Sequence, residues 1–148
     1  MSRRFRMLLA TAALTALAGV AAAQAATEQQ VFTGEIEGQL DTSVRMKTGA
    51  TTEFHIKVFT VHDFAVECKG DDGTVKRATL KGRIGIGNEG GFHARDDNGT
   101  STFNVRGKIE GRRAEGVFRL SGKIETTTGE TQKCDSGQLD WSAHASAS

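Results

Sequence analysis

The sequence predicts an all-β domain: an antiparallel β-sandwich or a flattened up-and-down (meander) β-barrel of about eight or nine short strands, with one disulfide. Three observations carry that expectation. A five-residue cell, apolar–polar–Gly–basic–apolar, recurs at Leu80-Lys81-Gly82-Arg83-Ile84, Val105-Arg106-Gly107-Lys108-Ile109 and Leu120-Ser121-Gly122-Lys123-Ile124. In each copy the apolar residues and the glycine share one parity and the polar residues take the other, which is the period of a half-buried strand. Short turn signals separate such runs, and no window keeps a 3.6-residue apolar period over three turns.

Taken in order, the chain opens on a leader. Arg3, Arg4 and Arg6 form a charged start, Met7 to Ala23 is an apolar run, and Ala23-Gln24-Ala25 is the small-x-small pattern of a signal-peptidase site. The apolar run is too short and too rich in alanine for a membrane span. Residues 1–25 therefore read as a cleaved signal peptide and 26–148 as a single exported β-domain, with no transmembrane segment in the mature chain. A retained anchor is the alternative to cleavage, and twin-arginine export is the alternative to the general route. No cysteine stands at the cleavage point, which argues against a lipid anchor. Removing the leader also removes three arginines and no acid, leaving 16 basic against 18 acidic residues. The slight positive excess belongs to the leader, and a generally basic nucleic-acid-binding protein is not implied.

The strands follow. The first, 30–40, carries an acidic relative of the cell, Phe32-Thr33-Gly34-Glu35-Ile36-Glu37-Gly38-Gln39-Leu40. The others are 43–47, 53–61, 63–69, 75–86, 91–95, 101–110, 114–125 and 138–144. Between them lie Thr48-Gly49, Gly70-Asp71-Asp72-Gly73, Asn88-Glu89-Gly90, Asp97-Asn98-Gly99, Glu110-Gly111-Arg112 and Thr128-Gly129. Parity sends inward Phe32, Ile36 and Leu40; Phe54, Ile56 and Val58; Phe64 and Val66; Leu80, Ile84 and Ile86; Phe103, Val105 and Ile109; Phe118, Leu120 and Ile124; Leu139 and Trp141. Gly34, Gly38, Gly82, Gly107 and Gly122 fall on the same face. Glycine weakens a strand interior unless something needs the space. Aromatic rings lying over the gaps, and sharp coiling where the sheet closes, are the expected uses; a hollow for a ligand is a third.

Cys68 and Cys134 are the only cysteines, and in an exported chain they read as one disulfide. Neither has a second Cys or a His at metal-ligand spacing. The four histidines, His55, His62, His93 and His144, lie on separate segments with no i, i+2 or i, i+4 pair. Asp71-Asp72-Gly73 and Asp96-Asp97-Asn98-Gly99-Thr100 are acidic turns without EF-hand spacing, so no metal and no cofactor is expected. Cys134-Asp135-Ser136-Gly137 has the Asp-Ser-Gly of a chymotrypsin-like nucleophile, but Gln138 stands where a second glycine would serve the oxyanion hole. The 123 residues after the leader are also too few for two barrels. Gly85-Ile86-Gly87 and Gly90-Gly91 lack the strand-to-helix setting and the Lys-Ser/Thr of a phosphate loop. These exclusions lead to the expectation of a domain that is not an enzyme.

Outward-facing Lys81, Arg83, Arg106 and Lys108 are the candidate ligand contacts. If 75–86, 101–110 and 114–125 are neighbours, they form a basic strip, with Arg119 and Lys123, suited to an anionic polysaccharide or lipid head groups. The competing expectation is ordinary charge pairing with Glu35, Glu37, Glu110, Glu115, Glu125 and Asp140. Single-stranded nucleic acid would need exposed aromatics, and here the aromatics point inward. Two functional classes remain. One is a binding module of the cell envelope or extracellular space, recognising a polysaccharide, a lipid or an envelope protein. The other is a periplasmic inhibitor of a hydrolase, acting through a protruding loop at 87–100 or 111–114.

Phe32-Thr33-Gly34, Phe64-Ala65-Val66-Glu67-Cys68 and Cys134-Asp135-Ser136-Gly137-Gln138-Leu139-Asp140-Trp141-Ser142-Ala143 together resemble a loose group of secreted bacterial β-domains. Those open on Phe-x-Gly, carry a central Cys and close on a Cys-x-Ser/Thr-Gly-x-apolar-x-Trp-x-Ala strand. The resemblance implies the all-β fold and the Cys68–Cys134 disulfide, and it brings no catalytic residue with it.

Overall fold

The computed structural model describes residues 29–50 and 54–146; the expected leader, 1–25, lies outside them. Nine antiparallel strands make one sheet, with no helix among the described residues. They are β1 (Val31–Ile36), β2 (Ser43–Ala50), β3 (Phe54–Cys68), β4 (Asp72–Gly85), β5 (Gly91–Asp97), β6 (Ser101–Glu110), β7 (Arg113–Glu125), β8 (Thr131–Asp135) and β9 (Leu139–Ala145).

The main path of the sheet runs β4-β3-β2-β1-β9-β7-β6-β5. β3 and β7 outlast their neighbours β2 and β9, and β8 fills the space beyond both. It pairs with β3 at Glu67 and Cys68 and with β7 from Ser121 to Glu125. The pairings therefore return to their start, through β3, β2, β1, β9, β7 and β8. With β4, β5 and β6 outside this circuit, the sheet is not a clean barrel. It is folded so that aromatic rings from its two halves meet. Phe59 of β3 lies 5.0 Å from Trp141 and 6.3 Å from Phe103, and Phe64 lies 5.2 Å from Phe118.

Most of the inward set holds, with two corrections. Leu40 is 93% exposed, because β1 ends at Ile36 and residues 37–42 form the turn into β2. Val58 faces outward, because the β2–β3 register slips at Lys57: Lys47 pairs with Val58 but Thr48 with Ile56. The extra residue is a β-bulge, and it exchanges the faces of everything after it. Phe59 and Val61, not Val58, are fully buried. Asp63, in the left-handed region at φ 56°, returns Phe64 and Val66 to the core without ending the strand. The expected strands 53–61 and 63–69 are thus one element.

The inward glycines divide. Gly107 and Gly116 sit side by side in the β6–β7 ladder, and Gly116 pairs with Trp141. A methyl group on Gly107 would stand 2.7 Å from Phe92 Cζ and 2.8 Å from Trp141 Cζ2, so two rings converge over the gap. Gly122 (φ 119°) instead allows coiling just where β7 leaves β9 for β8, while its missing side chain admits Ser101. Gly38 and Gly82 are not inward at all; nothing lies within 4 Å of where their side chains would be. Gly107→Val is expected to cost about 1–3 kcal/mol by overpacking. Chemical denaturation should show that loss, with Gly91→Ala as the comparison for a glycine that meets no neighbour and has no positive φ.

Candidate ligand-binding site

The bulge at Lys57 gives β2, β3 and β4 a shared outer face. Three cross-strand rows run over it: His62 and Arg77, then Arg45, Thr60 and Thr79, then Lys47, Val58 and Lys81. Each row alternates with a buried one, Val44–Val61–Ala78 and Met46–Phe59–Leu80, so core packing fixes which side chains face out. The eight outer residues line a shallow trough of about 470 Å³. Among the described residues it holds four cations, Arg45, Lys47, Arg77 and Lys81, together with His62, and no carboxylate. The Thr60 and Thr79 hydroxyls lie 3.3 Å apart across its floor. On the flank beyond β2, the ladder partners of Arg45 and Lys47 are the uncharged Thr33 and Val31.

The other half of the sheet is different. The four ion pairs of the described residues all lie on β5 to β8: Arg95–Asp97, Lys108–Glu110, Arg113–Glu115 and Arg119–Asp135. None involves Arg45, Lys47, Arg77 or Lys81. Charge pairing therefore occupies Arg95, Lys108, Arg113 and Arg119 on that half, and none of the ion pairs among the described residues reaches the four cations of the trough.

The four residues singled out from the sequence are not brought together. Lys81 is in the trough. Arg83 follows on β4 beyond Gly82, where the register with β3 shifts. Arg106 and Lys108 lie on β6, separated from β4 in the pairing order by β3, β2, β1, β9 and β7. Segments 101–110 and 114–125 are neighbours as expected, but 75–86 is not beside them. Lys108 is ion-paired to Glu110, and Arg106 lines a separate hollow of about 370 Å³ with His93, Asn104 and Arg119. Sequence reasoning missed Arg45, Lys47 and Arg77. Their alternation with Val44, Met46 and Ala78 was the available signal.

Other expected features resolve into local structure. Ser136 Oγ accepts from the Leu120 N–H (2.9 Å) and donates to Gly137 O (2.7 Å), while Asp135 accepts from the Gly137 N–H (2.8 Å). The Asp-Ser-Gly run is a pinned turn. In the 97–100 turn, Asn98 Oδ1 accepts from the N–H groups of Thr100 (3.0 Å) and Ser101 (2.8 Å). No group of three or more His, Cys, Asp or Glu among the described residues could hold a metal. Residues 91–97 of the expected 87–100 loop form strand β5, and the β6–β7 connection is the two-residue turn Gly111-Arg112.

Arg119 Nε donates to Asp135 Oδ1 (3.0 Å) and its Nη2 to Oδ2, joining β7 to the end of β8. The Arg119 guanidinium, then the Gly137 N–H, hold the Asp135 carboxyl below its usual range against some burial. Lys108 does the same for Glu110, and the Gly99 N–H followed by Arg95 for Asp97. A carboxyl with a depressed folded-state pKa stabilises the fold above its unfolded pKa of about 4, and loses that contribution as pH falls through the folded value. Acid titration of unfolding should thus show stability falling below about pH 4, with Asp135→Asn flattening part of that slope. All three groups are largely exposed, so the effect is small.

Among the described residues no helix is long and apolar enough to cross a membrane. Compared with known proteins, the chain matches no family model, no curated protein and no solved structure.

Proposed function

We propose that this chain is an exported, non-catalytic bacterial binding module that takes anionic ligands in the β2–β3–β4 trough. The observation that carries the reading is the trough itself: four cations on one face, with no carboxylate lining it and no ion pair to neutralise them among the described residues. Concentrated charge of one sign attracts an oppositely charged ligand and speeds its encounter. Export is supported by the Cys68–Cys134 bond, which persists in oxidising compartments. A non-catalytic role is supported by the lining: His62 has no carboxylate there to orient it and no thiol to activate. Inhibition of a hydrolase through a loop has weaker support, since half of 87–100 is strand and 111–112 is a tight turn.

Dextran sulfate is a suitable probe, followed by calorimetry at two salt concentrations. The protein should bind it, more weakly at high salt. Arg45→Ala/Lys81→Ala should lower affinity about tenfold or more, equivalent to about 1.4 kcal/mol. Lys108→Ala/Arg113→Ala, on the ion-paired half, should leave it nearly unchanged. Equal losses in the two variants, or no binding at low salt, would contradict the proposal.

A further inference from the structure

Resting on that reading, we infer that the trough takes its ligand lengthwise and that the ligand is a linear acidic polysaccharide, with carboxylate or sulfate groups along both edges of the chain. The cations stand in two rails. Arg45 and Lys47 lie on β2, Arg77 and Lys81 on β4, and β3 between them supplies the neutral floor of Val58 and Thr60, with His62 at one end. Neighbouring strands are about 4.8 Å apart and each residue advances about 3.4 Å, so the rails are roughly 10 Å apart and Arg77 to Lys81 spans roughly 14 Å. That footprint is elongated along the strands and distributes the charge instead of focusing it.

A single phosphate or sulfate is a poor match. Compact anions are held by converging backbone N–H groups at turns and helix ends. Here the floor is mid-sheet, where the backbone of β3 is paired to β2 on one side and β4 on the other. The floor itself is part aliphatic, at Val58, and part hydroxyl, at Thr60 and Thr79. Sugar rings present the same mixture of C–H faces and hydroxyl edges. A nucleic acid strand would lack its stacking platform, because no aromatic residue among those described lines the trough. An anionic bilayer would want apolar side chains beside the charges, yet Leu40, the one exposed large hydrophobic residue described, lies in the β1–β2 turn and does not line it.

The test is a length series of oligogalacturonates and of heparin-derived oligosaccharides, titrated by calorimetry beside polyglutamate of matched charge and dextran sulfate. Affinity should rise at least tenfold from the disaccharide until the oligomer covers both ends of the trough, then level off for each site. Arg77→Ala and Lys81→Ala, at opposite ends, should each weaken the long oligomers several-fold and leave the shortest nearly unchanged. Binding by only one of the two sugar series keeps the inference and identifies the acid as carboxylate or sulfate. Affinity independent of length, or polyglutamate binding as tightly as the sugars, would overturn it while leaving an anion site in place. Failure of dextran sulfate and every other anion to bind would instead remove the reading on which it rests. Both substituted residues are exposed, and an unchanged urea midpoint for each variant verifies its fold.

Discussion

Phe59→Ala is expected to destabilise the protein by about 3–5 kcal/mol, while Val58→Ala next to it costs about 1 kcal/mol or less. The contrast follows from the bulge at Lys57, which puts Phe59 at 0% exposure between Trp141 and Phe103 and leaves Val58 half-buried in the trough. Uninterrupted alternation along 53–61 predicts the reverse order. Removing Phe59 opens a cavity beneath two other aromatic rings, where the sheet has little freedom to collapse. Urea unfolding followed by far-ultraviolet circular dichroism measures both losses, and similar losses would remove the bulge from the account. Circular dichroism is preferred because the one tryptophan, Trp141, touches Phe59 and its emission would change for local reasons.

The second large effect concerns the disulfide. Cys68→Ser/Cys134→Ser should cost about 4 kcal/mol on the chain-entropy model. The bond spans 66 residues of sequence. That is a large share of the roughly 5–15 kcal/mol typical of a domain. Its position explains why so much rests on it. Cys68 and Cys134 pair directly across β3 and β8, and β8 is five residues long with Cys134 as its one buried side chain. Hydrogen exchange should accelerate most at 131–135 in the double variant, since without sulfur this strand has little apolar area to hold it. A loss under about 1 kcal/mol would show that the circuit of strands closes well enough unaided.

These two sites also mark where the sequence was legible. Strands rich in alternating Phe, Val, Leu and Ile, such as 101–110 and 114–125, announce both their existence and their buried face, because each side chain on one parity must leave water. β8 has no such signal: Thr-Gln-Lys-Cys-Asp holds no apolar residue but Cys134, and it is a strand because β3 and β7 leave two open edges beside it. The bulge at Lys57 is equally silent, being set by the pairing of β2 with β3 and not by any local residue preference. The trough was half visible. Arg45 and Lys47 alternate with Val44 and Met46, and Arg77 and Lys81 share a parity, so each pair's outward face could be read. That β2 and β4 flank one strand, while 75–86 stays apart from 101–110, is a property of topology that no five-residue cell contains. The candidate quartet Lys81, Arg83, Arg106 and Lys108 assumed an adjacency that the strand order does not have.

We propose the outer face of β2, β3 and β4 as the ligand-binding surface. Nuclear magnetic resonance titration of the isotope-labelled protein with oligogalacturonate tests it most directly, residue by residue. Amide shift changes should concentrate at Arg45, Lys47, Val58, Thr60, His62, Arg77, Thr79 and Lys81, fading as salt is raised. Changes centred on β5 and β6, on the 111–112 turn, or nowhere would contradict it.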